Sequence, residues 1–147
     1  MKAHNIRVRA FFRQESLDEG RNILASILPK GAELREERLD AETEGGVFTE
    51  PLYVLSAVVS KKGDVDSLIK KIFSRLGEAD KRELKGSIDS RVDDDCNLYL
   101  RFDKKALAEG KFLLYTRDSV QVRIKMACFP KKREAAAAAA LGFLNAQ

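Results

Sequence analysis

Basic residues near the carboxyl end carry the clearest chemical signal in this sequence. Residues 121–140, QVRIKMACFPKKREAAAAAA, start as an alternating strand and end in a run of alanine, the strongest helix former. Lys131, Lys132 and Arg133 stand where that helix should begin. The amino end of a helix carries partial positive charge, so each exposed cation there costs roughly 0.3–1 kcal/mol. A bound phosphate would meet free backbone amides and these cations together, which predicts an anion site.

A solvated helix start is the alternative explanation for the same residues. Pro130 would then mark the helix boundary, the cations would point into water, and Glu134 would relieve part of their repulsion. That explanation does not account for a run of cations that follows so closely on Arg123 and Lys125.

Further basic residues alternate with aliphatic ones in three predicted strands. Because successive side chains of a strand point to opposite sides, the aliphatic residues share one face and the basic residues the other. The second face carries Arg7, Arg9 and Phe11 of one strand, Tyr99 and Arg101 of another, and Arg123 and Lys125 of a third. If these strands are neighbours, arginine and an exposed aromatic residue would combine phosphate contact with base stacking. A water-facing sheet also commonly carries Arg and Lys, and the strand pattern alone favours that explanation. The cations at the last helix shift the balance toward RNA.

Hydrophobic periodicity predicts the elements that must position these residues, in the order β-α-β-β-α-α-β-(short α)-β-β-α. Strands are predicted at 4–13, weakly within 33–50, at 52–60, within 93–103, and in a hairpin that turns near Arg117 and Asp118. The segment 33–50 also contains a predicted flexible loop with EGG at 44–46. Apolar residues on both faces of 52–60 suggest a central strand.

Helices are predicted between these strands by apolar spacing and by end signals. One follows a capping-box pattern of Ser16 and Glu19 and ends at Pro29 and Gly31. Others open at Gly63-Asp64, run from Ala79 to Val92, occupy part of Lys104–Gly110, and begin at about Lys131. Tight turns between strands make the sheet mostly antiparallel, with amphipathic helices on one face. The expected class is therefore α+β, with about five strands in a single domain over 1–147.

Length and composition limit the class of protein. The 147 residues are 44% hydrophobic and 34% charged, which fits a folded domain and neither a disordered nor a fibrous chain. We see no apolar run of membrane-spanning length and no signal peptide, which predicts a cytoplasmic protein without a membrane partner. Residues 1–60 hold 8 Lys and Arg against 10 Asp and Glu, whereas residues 61–147 hold 19 against 13. Any binding of polyanions must therefore come from clustering in the later part.

Catalytic patterns are weak. The one histidine, His4, has no evident partner, and we find no phosphate loop, zinc spacing or nucleophile elbow. Asp93, Asp94 and Asp95 could in principle hold Mg²⁺, but a solvated turn in which Asp95 or Asn97 binds backbone amides is favoured. The separated Cys96 and Cys128 are expected to be small buried residues, not a disulfide or a metal pair. We therefore expect that the protein is not an enzyme and that it binds no cofactor or metal ion.

Three blocks of the sequence resemble an archaeal family of RNA-binding proteins or predicted exosome subunits: HNIRVRAFF, RVDDDCNLYLRFDKKALAEGKF and VQVRIKMACFPKKRE. Their order and spacing match over nearly the whole chain, although Cys96 stands where the family has Gly. The resemblance implies an α+β fold similar to the ribosomal protein that binds 5S RNA, and loosely to double-stranded-RNA-binding domains. It implies RNA contact at Arg7, Arg9, Asn97, Tyr99, Arg101, Arg123, Lys125, Lys131, Lys132 and Arg133.

The combined expectation is a non-catalytic RNA-binding protein, accessory to RNA processing by the exosome or to ribosome-related machinery. Recognition of RNA shape or backbone is expected, because the sequence lacks an aromatic-rich stacking platform. A protein-interaction module that uses a sheet edge, for example at 52–59, is the alternative. An Mg²⁺-dependent hydrolase at Asp93–Asp95 ranks last.

Overall fold

Five antiparallel strands form one sheet in the order β2-β3-β1-β5-β4. The computed structural model describes residues 3–40, 50–130 and 132–146. The strands are β1 (Ala3–Arg13), β2 (Arg35–Leu39), β3 (Leu52–Val59), β4 (Asn97–Asp103) and β5 (Ser119–Met126). The helices are α1 (Leu17–Ile27), α2 (Lys62–Arg75), α3 (Glu78–Arg91), α4 (Lys104–Ala108) and α5 (Arg133–Asn145). The predicted α+β class with a five-stranded antiparallel sheet is confirmed.

The hydrophobic core lies between one face of the sheet and the helices. In β1 every second residue from Ile6 to Phe12 is buried, and α2 buries its apolar stripe from Val65 to Phe73. The alanine run of α5 is a closely packed helix, since Ala136 and Ala140 are fully buried. Phe143 of the same helix meets Phe73 with ring centroids 5.4 Å apart. The other face of the sheet carries no helix among the described residues, and we call it the open face.

The contact between α1 and β1 requires a glycine. A Cβ atom added to Gly20 would lie 2.7 Å from the Phe12 ring, closer than real Cβ contacts. The absence of a side chain at Gly20 therefore lets α1 cover the end of β1.

The predicted hairpin at the end of the chain is wrong in its first half. Phe112 and Leu114 form only isolated bridges, and β5 pairs instead with β1 on one side and β4 on the other. Phe112 packs edge-on against Phe102, with ring centroids 5.1 Å apart. The Leu114 amide donates to the Asp80 carboxylate at 3.1 Å. These contacts hold the segment against the outer edge of β4 and against α3, and it does not pair with β5.

Two smaller predictions also need correction. Ser16 precedes α1, but its side chain makes no capping hydrogen bond, because a 3₁₀ turn at Gln14–Ser16 leads directly into the helix. β3 lies between β2 and β1, as predicted for a central strand, so 52–59 is not a sheet edge. The loop predicted at 41–49 lies outside the described residues. No helix in the described ranges is long and apolar enough to cross a membrane.

Candidate nucleic-acid interface

The open face brings basic residues of three strands into adjacent rows. Arg7 of β1 is paired with Arg123 of β5, and Arg123 is paired on its other side with Tyr99 of β4. In the next row Arg9 is paired with Gln121, and Gln121 with Arg101. Lys125 lies beyond Arg123 and is paired with Asn5 and Asn97. We call the residues Arg7, Arg9, Tyr99, Arg101, Gln121, Arg123 and Lys125 the arginine face.

Neutral groups, not carboxylates, contact the innermost guanidinium groups of the arginine face. Arg9 Nη2 donates to Gln121 Oε1 at 3.0 Å, and its guanidinium lies 5.6 Å from the centroid of the Phe11 ring. Arg123 Nη2 donates to Asn5 Oδ1 at 3.0 Å. These contacts orient the two arginines without neutralising their charge.

Each of these two arginines keeps an unused donor. The Nε atoms of Arg9 and Arg123 are buried and have no hydrogen-bond partner. A shallow depression of about 280 Å³ lies over the same rows, lined by Arg7, Arg9, Tyr99, Arg101, Gln121 and Arg123 together with strand backbone. A buried polar group without a partner is unfavourable. A ligand whose acceptor atoms reach these two Nε atoms would therefore gain a hydrogen bond from each.

The loop before β4 is organised around Asp93. Its Oδ1 accepts from the amides of Asp95 at 3.0 Å and Asn97 at 2.9 Å, and its Oδ2 accepts from Asn97 Nδ2 at 3.1 Å. Burial acts to raise the pKa of Asp93, but the donated hydrogen bonds outweigh it and lower that pKa. Asn97 is only 7% exposed, so its side chain positions the loop from inside. The predicted turn is present, with Asp93 as the carboxylate that binds the local amides.

Cys96 occupies the tight position where the resemblance leads us to expect glycine. It has a φ of 66°, a left-handed conformation that is uncommon for residues with a side chain. The turn is therefore kept without glycine. The Cys96 side chain is 1% exposed, so burial of the thiol offsets part of the conformational cost.

Tyr99 is held at the edge of the arginine face by the same carboxylate. Its hydroxyl donates to Asp93 Oδ2 at 2.9 Å, while 43% of the residue remains exposed. Burial and the bond to Asp93 raise the pKa of Tyr99, although Arg123 and Arg7 act in the opposite direction. The phenol is thus fixed in its protonated form beside two cations at neutral pH.

The cations at the start of α5 are partly as predicted. Lys132 is the residue before the helix and is exposed, and Arg133 is its first residue. Arg133 Nε lies 3.5 Å from Asp94 Oδ1, an exposed ion pair that offsets part of its charge. The Lys132 carbonyl accepts from Cys96 Sγ at 3.5 Å, which places the helix start beside the beginning of β4. Lys131 lies outside the described residues.

Both cysteines are free, and they are neighbours in space although 32 positions separate Cys96 from Cys128 in the sequence. Burial and a hydrogen bond with the Cys96 thiol raise the pKa of Cys128 to about 11. Local patterns did not predict this contact, because it arises where the end of β5 passes the loop before β4. Cys96 is buried as expected, whereas Cys128 is only partly buried.

The residues considered for catalysis, His4 and the acidic cluster Asp93–Asp95, do not form one site in the described part of the chain. His4 is exposed on β1. Across the described part of the chain, no group of three His, Cys, Asp or Glu residues is placed to hold a metal ion. Asp93 accepts hydrogen bonds from local donors, and Asp94 pairs with Arg133 of α5. These two carboxylates therefore stabilise the loop and its contact with the helix.

The sequence analysis did not include Asn5, Arg35 or Gln121 among the candidate site residues. Gln121 and Asn5 orient arginines, and Arg35 of β2 extends the second row through Ser56 of β3 to Arg9. The alternation of β1 and β5 placed Asn5 and Gln121 on the basic face, so that signal was available. Arg35 needed the register of β2, which no local pattern shows.

Comparison with known proteins identifies relatives of this chain. A family model described as RNA binding matches residues 5–126. The RNA-binding protein PAB1135 of Pyrococcus abyssi is 26% identical over 149 residues, which cover 100% of this chain and 97% of that protein.

Solved structures share the fold. A DUF54 protein from Archaeoglobus fulgidus matches with a TM-score of 0.80 and 22% identity, over 97% of this chain and 99% of that one. A DUF54 protein from Methanothermobacter thermautotrophicus matches with a TM-score of 0.77 and 23% identity, over 98% and 99%.

Proposed function

Because this chain belongs to the family described as RNA binding, we propose that it binds RNA and that the arginine face contacts the RNA backbone. The observation that carries this proposal is the pairing of Arg7 with Arg123 beside the row that holds Arg9 and Arg101. Arginine binds phosphate through a rigid fork of donors, so such rows suit a polyanion.

The spacing of the arginine face suits several phosphates. Side chains two positions apart on a strand are about 6.6 Å apart, and neighbouring strands are about 4.8 Å apart. Arg7 and Arg9 on β1 and Arg123 and Lys125 on β5 therefore form a two-column array of cations. A ligand that runs along either strand would meet a second cation two residues further on, whichever base it carries, so contact would be mainly with the backbone.

The start of α5 supplies a second group of contacts in this proposal. Lys132 is exposed, and the ion pair that Arg133 makes with Asp94 among the described residues is exposed and therefore weak in water. Lys131 joins them in the sequence. A phosphate bound there would be favoured by the helix dipole as well as by the cations. Asn97 contributes by holding the loop between the two groups.

The role we propose is non-catalytic and needs no cofactor. Guanidinium, ammonium and phenol groups bind RNA without supplying a general base or a metal. We further propose that the protein is a single cytoplasmic domain over 1–147, accessory to RNA processing by the exosome or to ribosome-related machinery. The resemblance to predicted exosome subunits and to the 5S-RNA-binding ribosomal protein supports that role.

A titration of a fluorescent RNA hairpin at several salt concentrations tests the proposal. The logarithm of the affinity should fall linearly with the logarithm of salt, and Arg101→Ala or Lys125→Ala should reduce the slope by about one unit. Lys132→Ala should do the same if the start of α5 takes part. Lys70→Ala removes an exposed cation from α2, on the other side of the sheet, and should leave the slope unchanged. A salt-independent affinity, or equal slopes for Arg101→Ala and Lys70→Ala, would refute phosphate contact by this face.

A second candidate function is protein assembly through the β2 edge. All five residues of β2 are exposed, and Leu39 and Leu52 expose about two-fifths of their surface beside it. Four of the five β2 residues are charged, which opposes edge-to-edge pairing. Light scattering over a range of protein concentrations would show a specific oligomer if this edge is an interface.

A further inference from the structure

The side chain of Tyr99 lies along its strand instead of standing away from the sheet. Its hydroxyl reaches Asp93 Oδ2 at 2.9 Å, and the Asp93 amide is itself bonded to the Asn97 carbonyl at 3.1 Å. Asp93 therefore lies beside Asn97, the first residue of β4, which precedes Tyr99 by two positions. To reach this carboxylate, the ring extends along β4 toward Asn97. The residue remains 43% exposed, so part of the ring is open to solvent.

The hydroxyl of Tyr99 is already used within the protein. Asp93 accepts from this hydroxyl, from Asn97 twice and from the Asp95 amide, which fixes the carboxylate and with it the phenol. The hydroxyl of Tyr99 is thus already hydrogen-bonded to Asp93, and the ring is the part of the side chain that a ligand can contact. A ring held in one orientation loses little entropy when a planar group stacks on it.

Cations lie near Tyr99 in two directions, across the strands and along β4. Arg123 is its direct partner on β5 and Arg7 lies one strand further, while Arg101 is two positions along β4. Phe11, an aromatic residue elsewhere on the open face, is covered by the Arg9 guanidinium. Among the residues that define the arginine face, Tyr99 is the one aromatic ring, although Tyr115 is exposed beside Arg101 and its amide donates to the Arg101 carbonyl at 3.0 Å.

We infer that the arginine face recognises RNA with an unpaired nucleotide, whose base stacks on Tyr99 while the flanking phosphates bind Arg101 and the pair Arg7 and Arg123. This inference rests on the RNA binding proposed above and names its RNA class: a loop, bulge or strand end. Bases in a continuous duplex are stacked on each other and cannot reach the ring. One aromatic ring accommodates one base, so the preference is for an unpaired position and not for a sequence.

A matched pair of hairpins tests this inference. One has a fully paired stem closed by a covalent non-nucleotide linker, and the other has the same stem with a single-nucleotide bulge. The wild-type protein should bind the bulged RNA more tightly, by roughly 5- to 100-fold for one stacked base. Tyr99→Phe keeps the ring and should keep most of the preference. Tyr99→Leu should bind both RNAs with the affinity of the paired stem.

Tyr115→Leu tests the neighbouring ring, because Tyr115 is 40% exposed and its amide donates to the Arg101 carbonyl at 3.0 Å. This variant should keep the preference for the bulged RNA. Circular dichroism of each variant shows whether the fold is kept, and Tyr99→Phe provides a ring-retaining variant if Tyr99→Leu does not fold. Equal affinities of the wild type for the two hairpins, or a preference that survives in folded Tyr99→Leu, would overturn the inference. If both hairpins bind with a steep salt dependence, the proposed function still stands; if neither binds, both fail.

Discussion

Arg7 of β1 and Arg123 of β5 lie directly opposite each other in an antiparallel strand pair. Like charges in this position repel, at a cost of roughly 0.2–1 kcal/mol. Arg123 is drawn aside by its bond to Asn5, whereas no hydrogen bond or ion pair is found for Arg7 within the described residues. The free protein therefore keeps a repulsive contact that a bound anion would relieve.

Replacement of Arg7 should stabilise the free protein. In Arg7→Gln we expect the free energy of unfolding at low salt to rise by a few tenths up to about 1 kcal/mol, because the repulsion with Arg123 is removed. The gain should shrink when salt is added, since salt screens the charges of the wild type. Urea unfolding at low and high salt measures both effects.

Lys70→Gln is the matched control for this change. Lys70 follows Asp66 by one helical turn on α2, so its removal should lower stability slightly instead of raising it. An Arg7→Gln protein that is less stable than wild type at low salt would contradict repulsion between Arg7 and Arg123.

Asp93 should make stability depend on pH in the acid range. Its folded-state pKa is lowered, because the hydrogen bonds that it accepts outweigh burial. Its contribution is thus fully present above the unfolded pKa of about 3.9 and is lost as the pH falls through the lower folded pKa. Asp93→Asn should cost about 1–2 kcal/mol at pH 7 and flatten the loss of stability below pH 4.

Asp94→Asn is the control for Asp93, since the Asp94 side chain is 91% exposed and its ion pair within the described residues is with the exposed Arg133. Urea unfolding from pH 3 to 8 compares the three proteins. An acid profile of Asp93→Asn as steep as that of wild type would show that another carboxylate is responsible.

Two glycines in helices should respond oppositely to alanine. Gly86→Ala on α3 should stabilise by up to about 1 kcal/mol, because alanine is the better helix former and an added Cβ meets nothing within 4 Å. Gly20→Ala brings the same gain but places its Cβ 2.7 Å from the Phe12 ring. Since overpacking typically costs about 1–3 kcal/mol, Gly20→Ala should be destabilised on balance. Thermal unfolding of the two variants is the measurement, and a stabilised Gly20→Ala would show that Phe12 can move.

The Cys128 thiol should react slowly in the native protein. Burial and the hydrogen bond with Cys96 raise the pKa of Cys128 to about 11 from an ordinary 9.0. At pH 8 this leaves roughly 0.1% thiolate instead of about 10%, and the thiolate is the reactive form. We expect alkylation by iodoacetamide at least about 50-fold slower in the native state than in urea. Mass spectrometry of the alkylated peptide over time measures the rate, and equal rates in the two states would rule out the raised pKa.

Local patterns were sufficient for most of the secondary structure. The alternation of β1 assigned Ile6 and Val8 to the core and Arg7 and Arg9 to the other face, and the structure agrees. The alanine run likewise indicated a helix, either closely packed or plain, and α5 is a helix that buries Ala136 and Ala140. Both patterns concern residues within one element, where backbone geometry alone decides which side chains share a face.

Long-range contacts explain where the sequence analysis failed. The hairpin before β5 was expected because apolar runs flank a turn signal, but Asp80 and Phe102 hold that segment elsewhere. Neither partner is near it in the sequence. The contact between Cys96 and Cys128 was missed for the same reason, as was the role of Asn5 in orienting Arg123.

By itself, the sequence determined which side chains point away from the core, since that property repeats with every second residue of a strand. Only the tertiary structure decided that Arg7 lies beside Arg123, and Arg123 beside Tyr99. Strand order and register depend on how the buried faces of distant segments fit together over the helices, and a shift of one residue would have turned the arginines inward.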